Sequence, residues 1–384
     1  MRCDGDVSNL KIENRKRIEN LYDVIVIGSG PAGCAAAGTC TKAGLNVLIV
    51  TDQPNPYPLP VVVPGPLESI HPGVSSLLVK IGAEGAEFDA TLALYSGIHA
   101  GDNYTPLGED TKGTWQGMHI NRDIFNARLV TLVQYLGMKV MYNVRVKDLI
   151  LEDNKVVGIK TSFLDLGAKY IIDASGKKTI AGKMLKFKRR FYSPPLICWT
   201  GVSKIDETFS YDLTAAHFIP HKDGWTWLAP QPPDYCAWTM LSMKGEKSFL
   251  PPEELKTIIT LNTIHFANMR WRLFRPVCSE GILLCGDAAG ILDPAAGQGI
   301  FNALLSGITA ANTVVKCIQE ADLAAFHLAH YDDWFVREFE GKVEQLRLYY
   351  EEHGITVFGR EQGAGSRDKM REQARSELIE ICLF

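Results

Sequence analysis

The apolar, β-branched run Tyr22-Asp-Val-Ile-Val-Ile27 passes without a break into Gly28-Ser29-Gly30-Pro31-Ala32-Gly33 and then into an alanine-rich stretch from Cys34 to Ala43. That order of residue types reads as strand, tight turn and helix. A second apolar run, Leu45 to Val50, completes a βαβ unit and implies parallel strands. The spacing G-x-G-x-x-G has a mechanical meaning in this context. Gly28 permits the turn, Gly30 lets the backbone approach a pyrophosphate, and Gly33 allows the helix to pack closely on the strand. Pro31 and Ala32 then open a helix whose N-terminus favours the anion. The segment therefore predicts a dinucleotide site. An acidic residue is expected at the end of the second strand for the ribose hydroxyls. Thr51 holds that place, so Asp52 is the candidate, with capping of the loop that follows as its alternative role.

A chain of 384 residues with 46% hydrophobic, 22% charged and 9% aromatic residues can bury a sizeable core, most simply as two interlocked domains. The net charge of -4, with no dense Lys/Arg stripe evident along the chain, argues against a nucleic-acid partner. Nine scattered cysteines, including Cys3 and Cys382, form no CxxC pair and fit free thiols in a reducing compartment. The first twenty residues lack the apolar segment of a signal peptide, and no uninterrupted apolar run is long enough to span a bilayer, so a cytoplasmic location is expected.

Seven prolines between Asp52 and Pro72 exclude helix interior and central strand, which predicts a long loop. Helical rhythm follows over 74–81 and 121–136. Strands are expected in 139–150, 156–160 and 169–173, and a β-rich region over about 185–275. Gly281 to Cys285 returns as a strand, helix resumes from Gly297, and a charged helix covers 325–352. The expected fold is α/β. A Rossmann-type domain is assembled from residues 20–75, 115–182 and 276–320, a substrate domain from 76–114 and 183–275, and residues 321–384 form a C-terminal helical segment.

A second glycine-rich segment, Gly286-Asp287-Ala-Ala-Gly290, leads to Asp293-Pro294-Ala-Ala-Gly297-Gln298-Gly299 at another strand-to-helix junction. Asp287 can accept hydrogen bonds from ribityl hydroxyls. The amides of Gly297, Gln298 and Gly299 can face a ring carbonyl and stabilise negative charge on a reduced flavin. Pro294, Gly297 and Gln298 are accordingly candidates beside the reacting ring, and Gly286, Asp287, Gly297, Gln298 and Gly299 candidates for holding it.

The two motifs, with Asp173-Ala-Ser-Gly176 between them, resemble the FAD-dependent monooxygenase superfamily of aromatic hydroxylases, flavin-dependent tryptophan halogenases and geranylgeranyl reductases. The resemblance covers most of residues 20–315. It implies bound FAD, with Arg122 of Ile120-Asn-Arg-Asp-Ile-Phe125 binding the cofactor. Trp225-Thr-Trp-Leu-Ala-Pro230 and Glu68-Ser-Ile-His-Pro72 look most like the halogenase branch, whose members place an essential lysine shortly after the second element. This chain has no lysine between Ile81 and Thr111. Lys80 reads as a surface residue and Lys112 aligns poorly. His71, in the loop that relatives use near the flavin, is the candidate acid–base group. Trp225 and Trp227 share one face of a strand and can equally serve as core or as substrate contacts. No metal spacing appears among His71, His99, His119, His217 and His221.

The resemblance thus implies hydroxylation of an electron-rich aromatic, free or bound to a carrier or peptide. Halogenation, flavin oxidase or dehydrogenase chemistry and isoprenoid reduction are the rivals, beside a flavin-fold protein without catalysis. Electrons would come from NAD(P)H directly or through a partner flavin reductase.

Overall fold

The computed structural model describes residues 19–59, 67–111, 113–243, 255 and 264–355. Its organising element is an eight-stranded sheet. The strand Glu19–Ile27 lies inside it, parallel to Val47–Val50 on one side and to Asp165–Asp173 on the other. Lys139–Met141 continues the parallel order beyond Val47–Val50. The first half of Asp165–Asp173 pairs antiparallel with Lys155–Thr161, which pairs in turn with Val146–Glu152. Its last three residues pair in parallel with Ile282–Leu284. Val24 to Ile27 and Val47 to Val50 are all buried, as expected of strands covered on both faces.

The register matters most at one end. Ile27 sits opposite both Val50 and Asp173, and Asp173 opposite Leu284. Three strands from distant parts of the sequence therefore finish level with the first, and the turns that leave them, at Gly28, Ala174 and Gly286, are brought together. Ligands bind at this carboxyl edge in open α/β sheets. Helix α1 (Pro31–Lys42) leaves the first turn, α2 (Gly73–Ile81) and α3 (Arg122–Gln134) follow, α4 (Ile180–Met184) is a single short turn, and α5 (Gly299–Gln319) packs along α1. Among the described residues α5 alone is long and apolar enough to cross a membrane by length and composition. Here it also packs against α2 and α6 (Ala324–Glu352).

A seven-stranded sheet stands beside this unit, in the order 265–268, 197–204, 235–242, 224–231, 216–221, 97–100, 103–106. One face buries Trp199, Leu228 and Trp238 as a separate cluster. The opposite face carries Phe218 and Trp225, which meet Tyr349 and Tyr350 near the end of α6. Strand alternation accounts for both.

Two expectations need correction. The proline-rich segment is not loop throughout, because Leu67–Ile70 forms an edge strand against Gly117–Asn121, with Thr91–Tyr95 on that strand's other side. No proline falls between Pro66 and Pro72, which leaves the four residues of the strand free to donate to a ladder. Nor is the positive charge evenly spread. Lys188–Phe191 pairs antiparallel with Arg272–Arg275, so two basic segments that are far apart in sequence share one small sheet with Gly290–Ile291. The seven described cysteines are free and buried, whereas Cys3 and Cys382 lie outside the described residues.

Candidate cofactor and active site

The three glycines of the first turn differ in what surrounds them. Gly28 has φ +105°, and a Cβ there would stand 2.5 Å from the Ala174 carbonyl oxygen. A Cβ on Gly33 would come within 2.0 Å of the Gly28 oxygen. At Gly30, by contrast, a Cβ would meet no protein atom within 4 Å. The backbone there borders open space, and α1 begins without a side-chain cap on its first amides. Unclaimed amides at the start of a helix, reached over a bare backbone, suit a pyrophosphate. Pro31 and Ala32, both buried, form the first turn of that helix. A cleft of about 460 Å³ opens from this point along Gly28, Gly30, Thr51, Asp52, Ala174 and Lys178.

Asp52 lies in the cleft wall, where the Lys178 ammonium binds its carboxylate and holds it below the usual carboxylate range. Thr51, in the place the ribose acid normally takes, is buried and accepts from the Ser29 hydroxyl at 3.2 Å. The bare backbone and uncapped helix start fit the pyrophosphate of a dinucleotide, and Asp52 beside them is tied to a lysine that spacing did not reveal.

The second turn meets the first directly. A Cβ on Gly286 would lie 2.8 Å from that of Ala32. Asp287 follows in a half-buried position, where burial raises its pKa while Lys177, Arg122 and Arg272 pull it back down and Glu68 opposes them. Arg122 stands at the first position of α3 because Asn121 caps that helix, its side-chain oxygen accepting from the amides of Asp123 and Ile124. The Arg122 guanidinium pairs with Glu68 and donates to Asn126. Among these groups Arg122 and Glu68 form an ion pair, and both act on the Asp287 carboxyl.

Beyond it the chain turns through Pro294–Ala296 into α5. Gly297 adopts φ +61° and Gln298 is the N-cap of α5, again without a side-chain cap on that helix, so the amides from Gly299 onward face outward from the helix end. His71 is buried; its Nδ1 accepts from the Gly73 amide at the start of α2, and its ring lies 6.4 Å from that of Phe301 in α5. The structure therefore places His71 beside the first turn of α5, the helix that Pro294, Gly297 and Gln298 lead into. It gives His71 a helix-capping bond as well.

What sequence reasoning missed is the support under this loop. Asp293 is buried and accepts from three donors: the Ala295 amide at 3.0 Å, the Tyr350 hydroxyl at 2.8 Å and the Trp271 indole at 2.6 Å. Tyr350 accepts in turn from the Trp225 indole at 2.7 Å. Burial raises the Asp293 pKa against these bonds. An Asp-Pro pair is a recognisable helix-start signal and could have identified Asp293. Nothing in the sequence marks Tyr350, which reaches the loop from the end of α6. Trp225 is thereby committed to structure, while Trp227 donates to Ser69, whose hydroxyl bonds His119 Nδ1 at 2.9 Å. Lys80 is exposed, and its carbonyl accepts from Lys42. Lys112 lies outside the described residues. Among the described residues no group of histidine, cysteine and carboxylate side chains is arranged to hold a metal.

The sequence matches the FAD binding domain family over residues 23–56, which is the first βαβ unit. Digeranylgeranylglycerophospholipid reductase of Methanosphaerula palustris is 27% identical over 368 residues, spanning 87% of this chain and 86% of the relative. The 1H-pyrrole-2-carbonyl-[peptidyl-carrier protein] chlorinase of Pseudomonas fluorescens is 24% identical, spanning 86% and 83%. In fold, the flavin-dependent brominase Bmp2 superposes with a TM-score of 0.75 at 20% identity, covering 94% of this chain and 93% of its own. A geranylgeranyl bacteriochlorophyll reductase-like protein from Thermoplasma acidophilum gives 0.71 at 20% identity, covering 94% and 99%. These findings bear out the α/β Rossmann-type fold and the resemblance to the superfamily of flavin halogenases and geranylgeranyl-type reductases.

Proposed function

Taking the chain as an FAD-dependent oxidoreductase, we propose that it inserts one oxygen atom into an electron-rich aromatic substrate, free or held on a carrier. Bound FAD would supply the electrons that activate dioxygen. The chain's own residues would do the rest. Gly28, Gly30, Gly33 and the start of α1 would hold the pyrophosphate, with Asp52 at the ribose. Asp287, Gly286 and Arg122 would hold the ribityl and phosphate region. The amides at Gly297, Gln298 and Gly299 would stabilise negative charge on the ring, and Pro294 and His71 would border the reacting face. In this reading residues 20–75, 115–182 and 276–320 serve the cofactor and residues 76–114 and 183–275 serve the substrate. Electrons would arrive from NAD(P)H or from a separate flavin reductase.

The observation that carries the reading is the Trp225–Tyr350–Asp293 chain of hydrogen bonds. It fastens the second sheet, through buried side chains, to the loop that would meet the flavin ring, so that the loop is held for a reaction that depends on positioning. Reduced, FAD-loaded protein should be mixed with oxygenated buffer and candidate aromatics, with and without halide, and the product weighed. A gain of one oxygen, unaffected by halide, supports the proposal. A gain of two hydrogens under anaerobic conditions would move the assignment to an isoprenoid-type reductase, and peroxide with unchanged aromatics to an oxidase.

One observation favours halogenation as the second reading. Lys342 of α6 donates to Asn302 at 2.7 Å, in the first turn of α5, and burial lowers its pKa. It is an ammonium near the ring end, delivered by a different element from the one that carries the lysine in halogenases. Halogen in the product, abolished by Lys342→Met with oxygen consumption retained, would establish that role.

A further inference from the structure

Resting on the aromatic-substrate reading for the ring itself, we propose that Thr200, Thr239 and Trp227 select a ring that carries a hydrogen-bonding group, a phenolic hydroxyl or a ring N–H. In the second sheet Thr239 lies opposite Thr200 on one neighbouring strand and opposite Trp227 on the other. The three side chains therefore stand in one row on one face. The same pairing puts Cys198, Leu241 and Trp225 in the row to one side, and Val202, Ala237 and Ala229 in the row to the other. All six of these flanking residues are buried. Thr200, Thr239 and Trp227 between them, on inner strands of the sheet, are each partly exposed. A row that is reached by solvent while both its neighbours are closed lines a recess in the face.

The recess lies on the side of the proposed flavin site. Trp199, Leu228 and Trp238 alternate with these residues and pack together on the opposite face. The row beside the recess is fastened at Trp225, through Tyr350 and Asp293, to the loop that precedes Gly297. At the other end of that row burial raises the Cys198 thiol, and the nearby Asp293 carboxylate adds to the rise. Successive rows on one face are two residues, or about 7 Å, apart. The recess thus opens one row away from the loop. Trp227 ties it to Ser69, next to the Glu68 that pairs with Arg122.

The three side chains offer different contacts. The Trp227 N–H is taken by Ser69, so what it presents is the area of its ring. Among the described residues neither threonine hydroxyl has a hydrogen-bond partner. Each can donate and accept. A hydrocarbon chain in the recess would exclude water and leave both hydroxyls unsatisfied, whereas a ring bearing a hydroxyl or N–H satisfies them. Sites built around such bonds discriminate strongly against the analogue that lacks the group. The recess therefore favours a polar-substituted aromatic over an isoprenoid.

The test titrates the FAD-loaded full chain, with oxidised flavin, against two pairs of small rings: 4-methylphenol with 1,4-dimethylbenzene, and indole with 1-methylindole. Binding is read by calorimetry and by the flavin difference spectrum. Wild type should bind the donor-bearing member of each pair at least about tenfold more tightly. Thr200→Val/Thr239→Val keeps the side-chain branching that strands favour and should remove that preference by weakening 4-methylphenol and indole alone. Unaltered flavin content and thermal midpoint confirm the fold. Equal binding within each pair by wild type, the same preference in the double variant, or no binding of any of the four overturns the proposal. Loss of flavin from the double variant with ring binding intact assigns the hydroxyls to the cofactor and also overturns it. Tighter binding of farnesene than of 4-methylphenol by wild type overturns it in favour of an isoprenoid. Threonine-dependent ring binding with no oxygen insertion keeps the recess and removes the proposed function. Oxygen insertion indifferent to both threonines does the reverse.

Discussion

A methyl group added at Gly33 would collide with the Gly28 carbonyl oxygen, whereas one added at Gly30 would collide with nothing in the protein. The two substitutions should therefore fail differently. Gly33→Ala is expected to lower soluble yield and thermal stability, since backbone has to move. Gly30→Ala should leave the midpoint near wild type and weaken FAD binding at least about tenfold, because the new atom occupies the pyrophosphate's approach. Flavin retention after gel filtration, set beside a melting curve, separates these outcomes. His119 gives a second test at this scale. Burial, helped by the charge of His217, depresses its pKa from 6.5 to about 3. Its ring stacks on Tyr95 at 4.6 Å, and Ser69, which accepts from Trp227, donates to Nδ1. The folded state thus keeps His119 neutral while the unfolded chain takes up a proton below pH 6.5. Stability present above that pH should be lost as pH falls toward 3, by up to about 1.4 kcal/mol per unit. Urea titrations of wild type and His119→Gln at pH 7.5 and 5 should show a steeper loss in wild type; parallel losses would refute the assignment.

Among the elements, α6 carries more of the site than its charged sequence suggests. Its buried stripe, Tyr331, Phe335, Phe339, Val343, Leu346 and Tyr350, recurs at helical spacing, so the helix and its buried face were legible. That Tyr350 would join Trp225 to Asp293 was not, because the bond depends on where a distant sheet places an indole. Tyr350→Phe removes the acceptor for the Trp225 N–H and one donor to a buried carboxylate. The expected cost is about 1–3 kcal/mol, read from the urea midpoint, with a shift in flavin absorbance as the sign that the Pro294–Ala296 turn has moved. An unshifted spectrum with the same stability loss would confine Tyr350 to packing. The glycine turns and strands, by contrast, were readable because each depends on its own few residues. Asp52 shows the limit of such reading: its candidacy followed from spacing, but its ion pair with Lys178 follows from the tertiary fold alone.

For the molecule as a whole, the sheet is closed by chain from both ends. Ile282–Leu284 completes the edge beside Ile171–Asp173. A chain ending before residue 276 would leave that edge open and remove α5 from α1, and is expected to aggregate, as soluble yield and circular dichroism would reveal. The α/β class and the presence of a second, β-rich sheet could be read from the order of strand and helix signals. The basic residues of 183–190 stand together in the sequence itself, whereas the pairing of Lys188–Phe191 with Arg272–Arg275 follows only from the fold. The hydrogen bonds of Trp225 and Trp271 have one more consequence, an optical one. Two of the seven tryptophans are anchored through the same aspartate to the loop proposed to touch the isoalloxazine. Their ultraviolet emission should be dark whenever the flavin is seated and return when it leaves, which would give the protein an intrinsic gauge of its own occupancy without any added dye.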